Sequence, residues 1–361
     1  MDETRKTESK EDTAASATKL ARKDFISQIE PKWCLGCGCY GAFKALTTTF
    51  ANLGIPREKF AAISGIGCSS RFPYYLNTYG FHTIHGRAPT VALGLKLVQP
   101  DLSVWVITGD GDALSIGGNH FLHLMRRNPD IKVILFNNQI YGLTKGQTSP
   151  TSAFGAKTKS APYGSVDTPV HPLSIAIAAG ATFAARITDT DGEFMVDVFT
   201  EAAKHKGVAF IEIFLNCVIF NDGAFTPVTD KTQKAGNSFR LKHGEPMIFG
   251  AEKEKGIRLN RQTMQPEIVD IRKDGTSDLL VHDASAADSS LAYMLSLLEY
   301  PKHPVPMGIF RKVSRPSYES YFMNQHGGDL NEVLCGNAAW REDKDGMIHP
   351  VSSRNRDDSS E

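Results

Sequence analysis

The chain reads as a doubly wound α/β protein with a mostly parallel sheet and a C-terminal extension. Three observations carry that reading. Short apolar runs at 60–64, 104–107, 131–136, 182–187 and 208–214 alternate with helical patterns. Gly54, Pro100, Asn128-Pro129, Gly180 and Gly207 close the helical patterns between them. Two of the runs end in turns of chemistry-bearing residues, Gly109-Asp110-Gly111-Asp112 and Asn137-Asn138. Ligand sites of open parallel sheets lie at that carboxyl edge. At 361 residues there is room for one large α/β domain plus an extension.

Taken in order, residues 1–23 are polar and rich in Ala, Thr and Ser, without the apolar core of a secretory signal. Asp2, Glu3, Glu8, Glu11 and Asp12 do not suit a transit peptide, so we expect a disordered tail on a cytoplasmic protein. A Gly/Cys-rich loop over 32–40 feeds a helix in which Phe43, Leu46, Phe50 and Leu53 share a face and Gly54 is the C-cap. Strand 60–64 leads into the loop 65–70, and a helix follows over 85–97. Strand 104–107 enters the Gly-Asp-Gly turn, from which a helix runs to Arg127. Its Ile116, Phe121, Leu124 and Met125 are expected inside, and Arg126 and Arg127 complement the helix dipole.

Beyond strand 131–136, residues 139–170 are polar and aperiodic. A loop of this length at such a strand end is expected to serve the active site and substrate. A short helix over 173–179, strand 182–187, a helix capped by Asp191 and strand 208–214 complete a domain over 24–250. In the extension, 251–330, runs 267–271 and 279–281 flank Asp274-Gly275 and predict a hairpin. Leu291, Met294, Leu295 and Leu298 share a helix face, and 307–313 is extended. Residues 331–361 turn polar and are expected to form a flexible tail.

Formal net charge is zero, with 40 basic and 40 acidic residues, which argues against nucleic acid as a partner. No apolar run approaches the roughly 20 residues of a membrane span. Six cysteines in a chain this long, with no secretion signal, argue for metal or redox chemistry over a disulfide framework. Cys34 and Cys37 form Cys-x2-Cys, a spacing that zinc, thioredoxin-like and iron–sulfur sites all use. A second Cys-x2-Cys, usual in a zinc ribbon, is missing. Single cysteines at strand ends, Cys68 and Cys217, suit a [4Fe–4S] cluster held against a domain. Cys39 stands as a backup ligand and Cys335 as a free thiol in the tail.

At the Gly-Asp-Gly turn, glycines let backbone N–H groups approach a phosphate, and the helix start favours its charge. An aspartate there repels phosphate unless a hard divalent cation lies between them, and Asn138 supplies a second oxygen from the neighbouring strand. This pair resembles the thiamine diphosphate fingerprint. Around it stand Trp33-Cys34-Leu35-Gly36-Cys37-Gly38, Gly65-Ile66-Gly67-Cys68-Ser69-Ser70, His85-Gly86-Arg87-Ala88 and Tyr141-Gly142-Leu143-Thr144-Lys145-Gly146-Gln147. With these motifs in this order, the chain resembles the β subunits of the 2-oxoacid:ferredoxin oxidoreductases, densely over 24–226 and more loosely to about residue 325.

The resemblance implies thiamine diphosphate and Mg²⁺, with Asp110, Asn138 and the Ile140 carbonyl as metal ligands. It implies Gly67, Ser69, His85, Gly86, Arg87, Gly109, Gly111, Asp112, Tyr141, Gly142 and Leu143 around the cofactor. It assigns one [4Fe–4S] cluster to Cys34, Cys37, Cys68 and Cys217. Substrate-side residues would be Arg71, Leu143 and Lys145. The implied activity is oxidative decarboxylation of a 2-oxoacid with coenzyme A, electrons passing through the cluster to ferredoxin. The implied partner is an α subunit that supplies the missing half of the thiamine site, in an αβ unit that dimerises. The Arg71-Phe72-Pro73-Tyr74-Tyr75 context looks more like the 2-oxoglutarate members than the pyruvate ones. A non-oxidative thiamine enzyme leaves the cysteines unexplained, and a zinc-binding interaction module leaves the two strand-end turns unexplained.

Overall fold

A computed structural model describes residues 20–325, 340–342 and 348–350. Six parallel strands form the body of an eight-stranded sheet: β1 (Phe60–Ser64), β2 (Tyr79–His82), β3 (Ser103–Gly109), β4 (Ile131–Asn137), β5 (Phe183–Thr188) and β6 (Ala209–Phe214). Their spatial order is β2-β1-β3-β4-β6-β5. The order reverses between β1 and β3, so the loops leaving those two strands part there and open a crevice.

Both faces are covered, which is why the strands read as unbroken apolar runs. Trp105, Ile107, Ile134 and Phe136 point to one face, beneath helices Cys39–Leu53 and Gly192–Lys204. Val104, Val106, Val133 and Leu135 point to the other. There they meet side chains of helices Ala88–Val98, Gly118–Arg127, Pro172–Ala178 and Ser290–Ser296. Gly54 closes the first helix at φ 66°, and Asp191 caps its partner by accepting from Phe194 N at 3.3 Å. No described helix is long and apolar enough to cross a membrane.

After β6 the chain adds β7 (Ser238–Arg240), β8 (Ile248–Phe249), β9 (Lys255–Asn260), β10 (Gln265–Asp270) and β11 (Val305–Lys312). Strands β8, β9 and β10 make a small antiparallel sheet. Strand β11 returns to the main sheet, antiparallel to β5, and β7 pairs parallel to it. The expected extension 251–330 therefore supplies a strand to the principal core, where Phe310 is fully buried.

Four expectations are corrected. The hairpin does not join 267–271 to 279–281: β10 pairs with β9, and Asp274 ends the helical turn Ile271–Asp274. The helix after Gly-Asp-Gly is broken into Asp110–Leu114 and Gly118–Arg127. Ile116 sits on the intervening turn and is exposed, because the helix ends at Ser115 and the periodicity that would turn it inward ends with it. Order begins before residue 24, with Leu20 on the core and Phe25 wedged between Phe50 and Phe60. Within 331–361, Trp340–Glu342 and Ile348–Pro350 form an antiparallel pair; the rest of that expected tail, Cys335 included, lies outside the described residues, as do residues 1–19.

Because β11 belongs to the main core, Phe310→Ala is expected to cost about 3–5 kcal/mol. Urea unfolding of the intact chain checks it, and the transition should stay single. A loss below about 1 kcal/mol, or a separate early transition, would show that the extension folds by itself.

Candidate cofactor and cysteine site

Three loops meet at the carboxyl edge where the strand order reverses, and one buried carboxylate joins them. Asp112 Oδ1 accepts from Ile66 N at 3.0 Å and Gly86 N at 2.7 Å, and lies 2.6 Å from His85 Nδ1. Its Oδ2 accepts from Thr108 Oγ1 at 2.6 Å. Glycine is required beside it. A Cβ on Gly65 would stand 1.8 Å from Asp112 Oδ2, and one on Gly86, at φ 70°, would stand 2.6 Å from Gly117 N. Arg87 braces the same corner, its Nη1 donating to the carbonyls of His85 (3.3 Å) and Ile116 (3.2 Å).

Asp110 is different. It is 3 % exposed, yet among the described residues no cation pairs with it. Ser149 and Thr151, from the long polar loop, each place a hydroxyl 2.6 Å from its Oδ2. Burial pushes its carboxyl above the ordinary aspartate range, despite those hydrogen bonds. Asn138 arrives from the end of β4, its Oδ1 accepting from Ile140 N at 3.2 Å. Tyr141 donates to the Gly111 carbonyl at 3.1 Å, and a Cβ on Gly111 would be 2.2 Å from its ring. A cavity of about 380 Å³ lies here, walled by Gly67, Ser69, His85, Gly109–Asp112, Asn138 and Ile140–Leu143. A buried carboxylate lacking a cation, an amide oxygen and a glycine cradle fit a hard divalent ion with an anionic ligand.

Cys68 lines this cavity and Cys217 lies beside it. Gly142 stands between the two: a Cβ there would lie 3.5 Å from Cys217 Sγ, 3.7 Å from Cys68 Sγ and 3.9 Å from Asn138 Nδ2. Trp33 fixes the Cys68 carbonyl through its Nε1 at 2.7 Å, and Cys37 N donates to the Cys34 carbonyl at 3.1 Å. All five described cysteines are free thiols; Cys34 is exposed and Cys39 buried. Burial, then the nearby Cys37, Cys217 and Cys34, push the Cys68 thiol up to about 11. A hydrogen bond from Cys39 lowers Cys37 to about 7 and raises Cys39 in turn. Single zinc ions need thiolate sulfurs about 2.3 Å from one point. Among the described residues no three Cys, His, Asp or Glu are grouped so as to hold a metal ion.

Residues 65–213 match the family described as thiamine pyrophosphate enzyme, C-terminal TPP binding domain. The chain is 48% identical over 322 residues to 2-oxoglutarate oxidoreductase subunit KorB of Mycobacterium tuberculosis, covering 88% of this chain and 84% of that protein. It is 45% identical over 258 residues to the 2-oxoglutarate synthase subunit KorB of Methanocaldococcus jannaschii, 71% of this chain and 93% of that one. This chain belongs to the 2-oxoacid:ferredoxin oxidoreductase β subunits. A solved structure of the 2-oxoglutarate:ferredoxin oxidoreductase from Magnetococcus marinus, with 2-oxoglutarate, coenzyme A and succinyl-CoA bound, matches with a TM-score of 0.69. The identity is 32%, over 89% of this chain and 96% of that one.

In this β subunit a second cavity, about 420 Å³, adjoins the first and shares Ile66, Gly67 and Leu143 with it. Arg71 lines it with Lys32, Tyr74 and His82, and Arg71 Nη1 lies 3.5 Å from the Lys32 carbonyl. Lys145 lines neither cavity; it is exposed, at φ 71°. Gly86 and Arg87 act on the corner around Asp112 rather than on the cavity wall. Sequence reasoning did not single out Thr108, Ser149 or Thr151. The loop carrying Ser149 and Thr151 was expected at the site, but nothing local marks which of its many hydroxyls reach Asp110.

The buried Asp110 carboxyl binds its proton more tightly folded than unfolded, so without a cation it lowers stability as pH rises between the two pKa values. Asp110→Asn should remove that penalty, leaving the cofactor-free chain at least as stable at neutral pH. The same variant should gain nothing from Mg²⁺ and thiamine diphosphate. The parent should gain about 2.7 kcal/mol at a hundredfold excess over Kd. Thermal unfolding with and without both ligands checks both halves.

Proposed function

We propose that this chain is the thiamine- and cluster-bearing β subunit of a 2-oxoglutarate:ferredoxin oxidoreductase, active only with its α subunit. The overall reaction converts 2-oxoglutarate and coenzyme A to succinyl-CoA, CO₂ and a proton, and delivers two electrons to ferredoxin. The observation that carries the proposal is Gly142, whose loop touches both the Asp110–Asn138 cavity and the sulfurs of Cys68 and Cys217. Electrons released at one centre then have a neighbouring acceptor.

Thiamine diphosphate, when bound, serves as the electron sink for decarboxylation. The chain's own residues do the rest. Asp110, the Asn138 amide oxygen and the Ile140 carbonyl would hold Mg²⁺ against the diphosphate. Gly109 and Gly111 leave room for the diphosphate to approach the backbone. Tyr141 braces Gly111 and walls the cavity. Asp112 orients His85 through its Nδ1 and so fixes the ring that lines the pocket. Cys34, Cys37, Cys68 and Cys217 would hold a [4Fe–4S] cluster.

Arg71, in the adjoining cavity, suits the distal carboxylate of 2-oxoglutarate, and Leu143 sits between the two cavities. The Mycobacterium 2-oxoglutarate oxidoreductase subunit, the Methanocaldococcus 2-oxoglutarate synthase subunit and the Magnetococcus enzyme with 2-oxoglutarate bound support this substrate. Ferredoxin as acceptor and an αβ pair that dimerises follow from the family.

The test is anaerobic co-purification with the α subunit, with iron, sulfide and thiamine determined and viologen reduction assayed on 2-oxoglutarate and on pyruvate. We expect iron, sulfide and thiamine together, preference for 2-oxoglutarate, and negligible turnover by this chain alone. Zinc without iron, or full turnover without a partner, would contradict the proposal. Arg71→Ala should lower kcat/KM on 2-oxoglutarate by roughly 10- to 150-fold, the equivalent of one lost charge-assisted contact, with little effect on pyruvate.

A further inference from the structure

Asp189 follows β5, outside every motif that marks the site, and it reaches between two of the cysteine-bearing segments. Its Oδ2 accepts from Asn216 N at 2.9 Å, and Asn216 directly precedes Cys217. The same oxygen presses on Gly38, between Cys37 and Cys39: a Cβ on Gly38 would stand 2.0 Å from it. The Asp189 backbone completes the clamp. Its N–H donates to the Phe214 carbonyl at 3.0 Å, and its carbonyl lies 3.1 Å from where a Gly41 Cβ would be. The other carboxylate oxygen, Oδ1, is buried without a hydrogen-bond partner. A buried oxygen left so is costly and needs a reason.

We infer that Asp189 is a positioning residue for the iron–sulfur site, holding the Cys34–Cys37 loop and the Cys217 loop in register and keeping a negative charge beside the group they bind. One carboxylate touches both segments, so a change there alters their spacing together. Cys37 and Cys39 both lie within reach of its charge. A negative charge next to a cluster opposes the uptake of an electron and lowers its reduction potential. The two roles separate by substitution. Asn keeps an oxygen that can accept from Asn216 N, whereas Ala removes both the acceptor and the charge.

This inference rests on the reading of the four cysteines as a cluster site, which the iron and sulfide content of the parent complex tests by itself. With the anaerobic αβ complex, Asp189→Ala should lose iron to a chelator faster than the parent. Asp189→Asn should restore retention while its midpoint potential, from an EPR-monitored titration, moves to more positive values. Should the Ala variant not fold, Asp189→Glu takes its place, since it keeps the charge but moves the acceptor, and it too should release iron faster. An Ala or Glu variant that holds iron as the parent does overturns the positioning role. An Asn variant with the parent's potential overturns the role of the charge. A parent complex with no iron overturns the cluster reading and this inference with it.

Discussion

The site depends on the Asp112 carboxylate. Buried at the point where the strand order reverses, it gathers hydrogen bonds from Ile66, Gly86 and Thr108 and pairs with His85. Those donors come from the loops after β1 and β2 and from the end of β3. A buried carboxylate is tolerable only when its lone pairs are satisfied, so the three segments cannot drift apart without exposing an uncompensated charge. Gly65 follows from it, because a side chain there would occupy the space the carboxylate needs, while Gly86 and Gly117 let the two flanking backbones pack against each other.

Fixing Asp112 frees its neighbour. Asp110, two residues earlier on the same turn, has hydroxyl partners but no cation among the described residues, and its burial disfavours the charged form. The two aspartates of one turn thus differ in kind: one is satisfied by the fold, the other is left without a charge partner among the described residues. The loop after Asn138 then crosses from the cavity to the cysteines, and Gly142 is the crossing point. Proximity of the cavity to Cys68 and Cys217 is built into the backbone of one short segment.

Much of this was legible in the sequence. β1, β3, β4, β5 and β6 were read as buried apolar runs, because a sheet covered on both faces leaves no polar alternation to obscure them. β2 was not, since Tyr79, Gly80, Phe81 and His82 form an exposed edge strand with no buried side. Ile116 was assigned inward by helical periodicity, and the break at Ser115 removed the helix that the periodicity assumed. The antiparallel partner of β10 was missed because Asp274-Gly275 imitates a hairpin turn while Asn260 to Met264 makes the real one. At the site, Gly-Asp-Gly, Asn-Asn and the cysteines carried local signatures. Ser149, Thr151 and Asp189 did not, because their roles arise only when distant segments are brought together.

The central claim is that one loop holds a metal–cofactor centre and an iron–sulfur centre on either side of Gly142. Replacing Mg²⁺ with Mn²⁺ in the anaerobic αβ complex and measuring the magnetic coupling between Mn²⁺ and the reduced cluster tests it directly. The account predicts that cluster reduction changes Mn²⁺ relaxation, and that Asp110→Asn abolishes the effect by releasing the ion. A complex that contains both centres, binds Mn²⁺ at Asp110 and yet lacks coupling would contradict it.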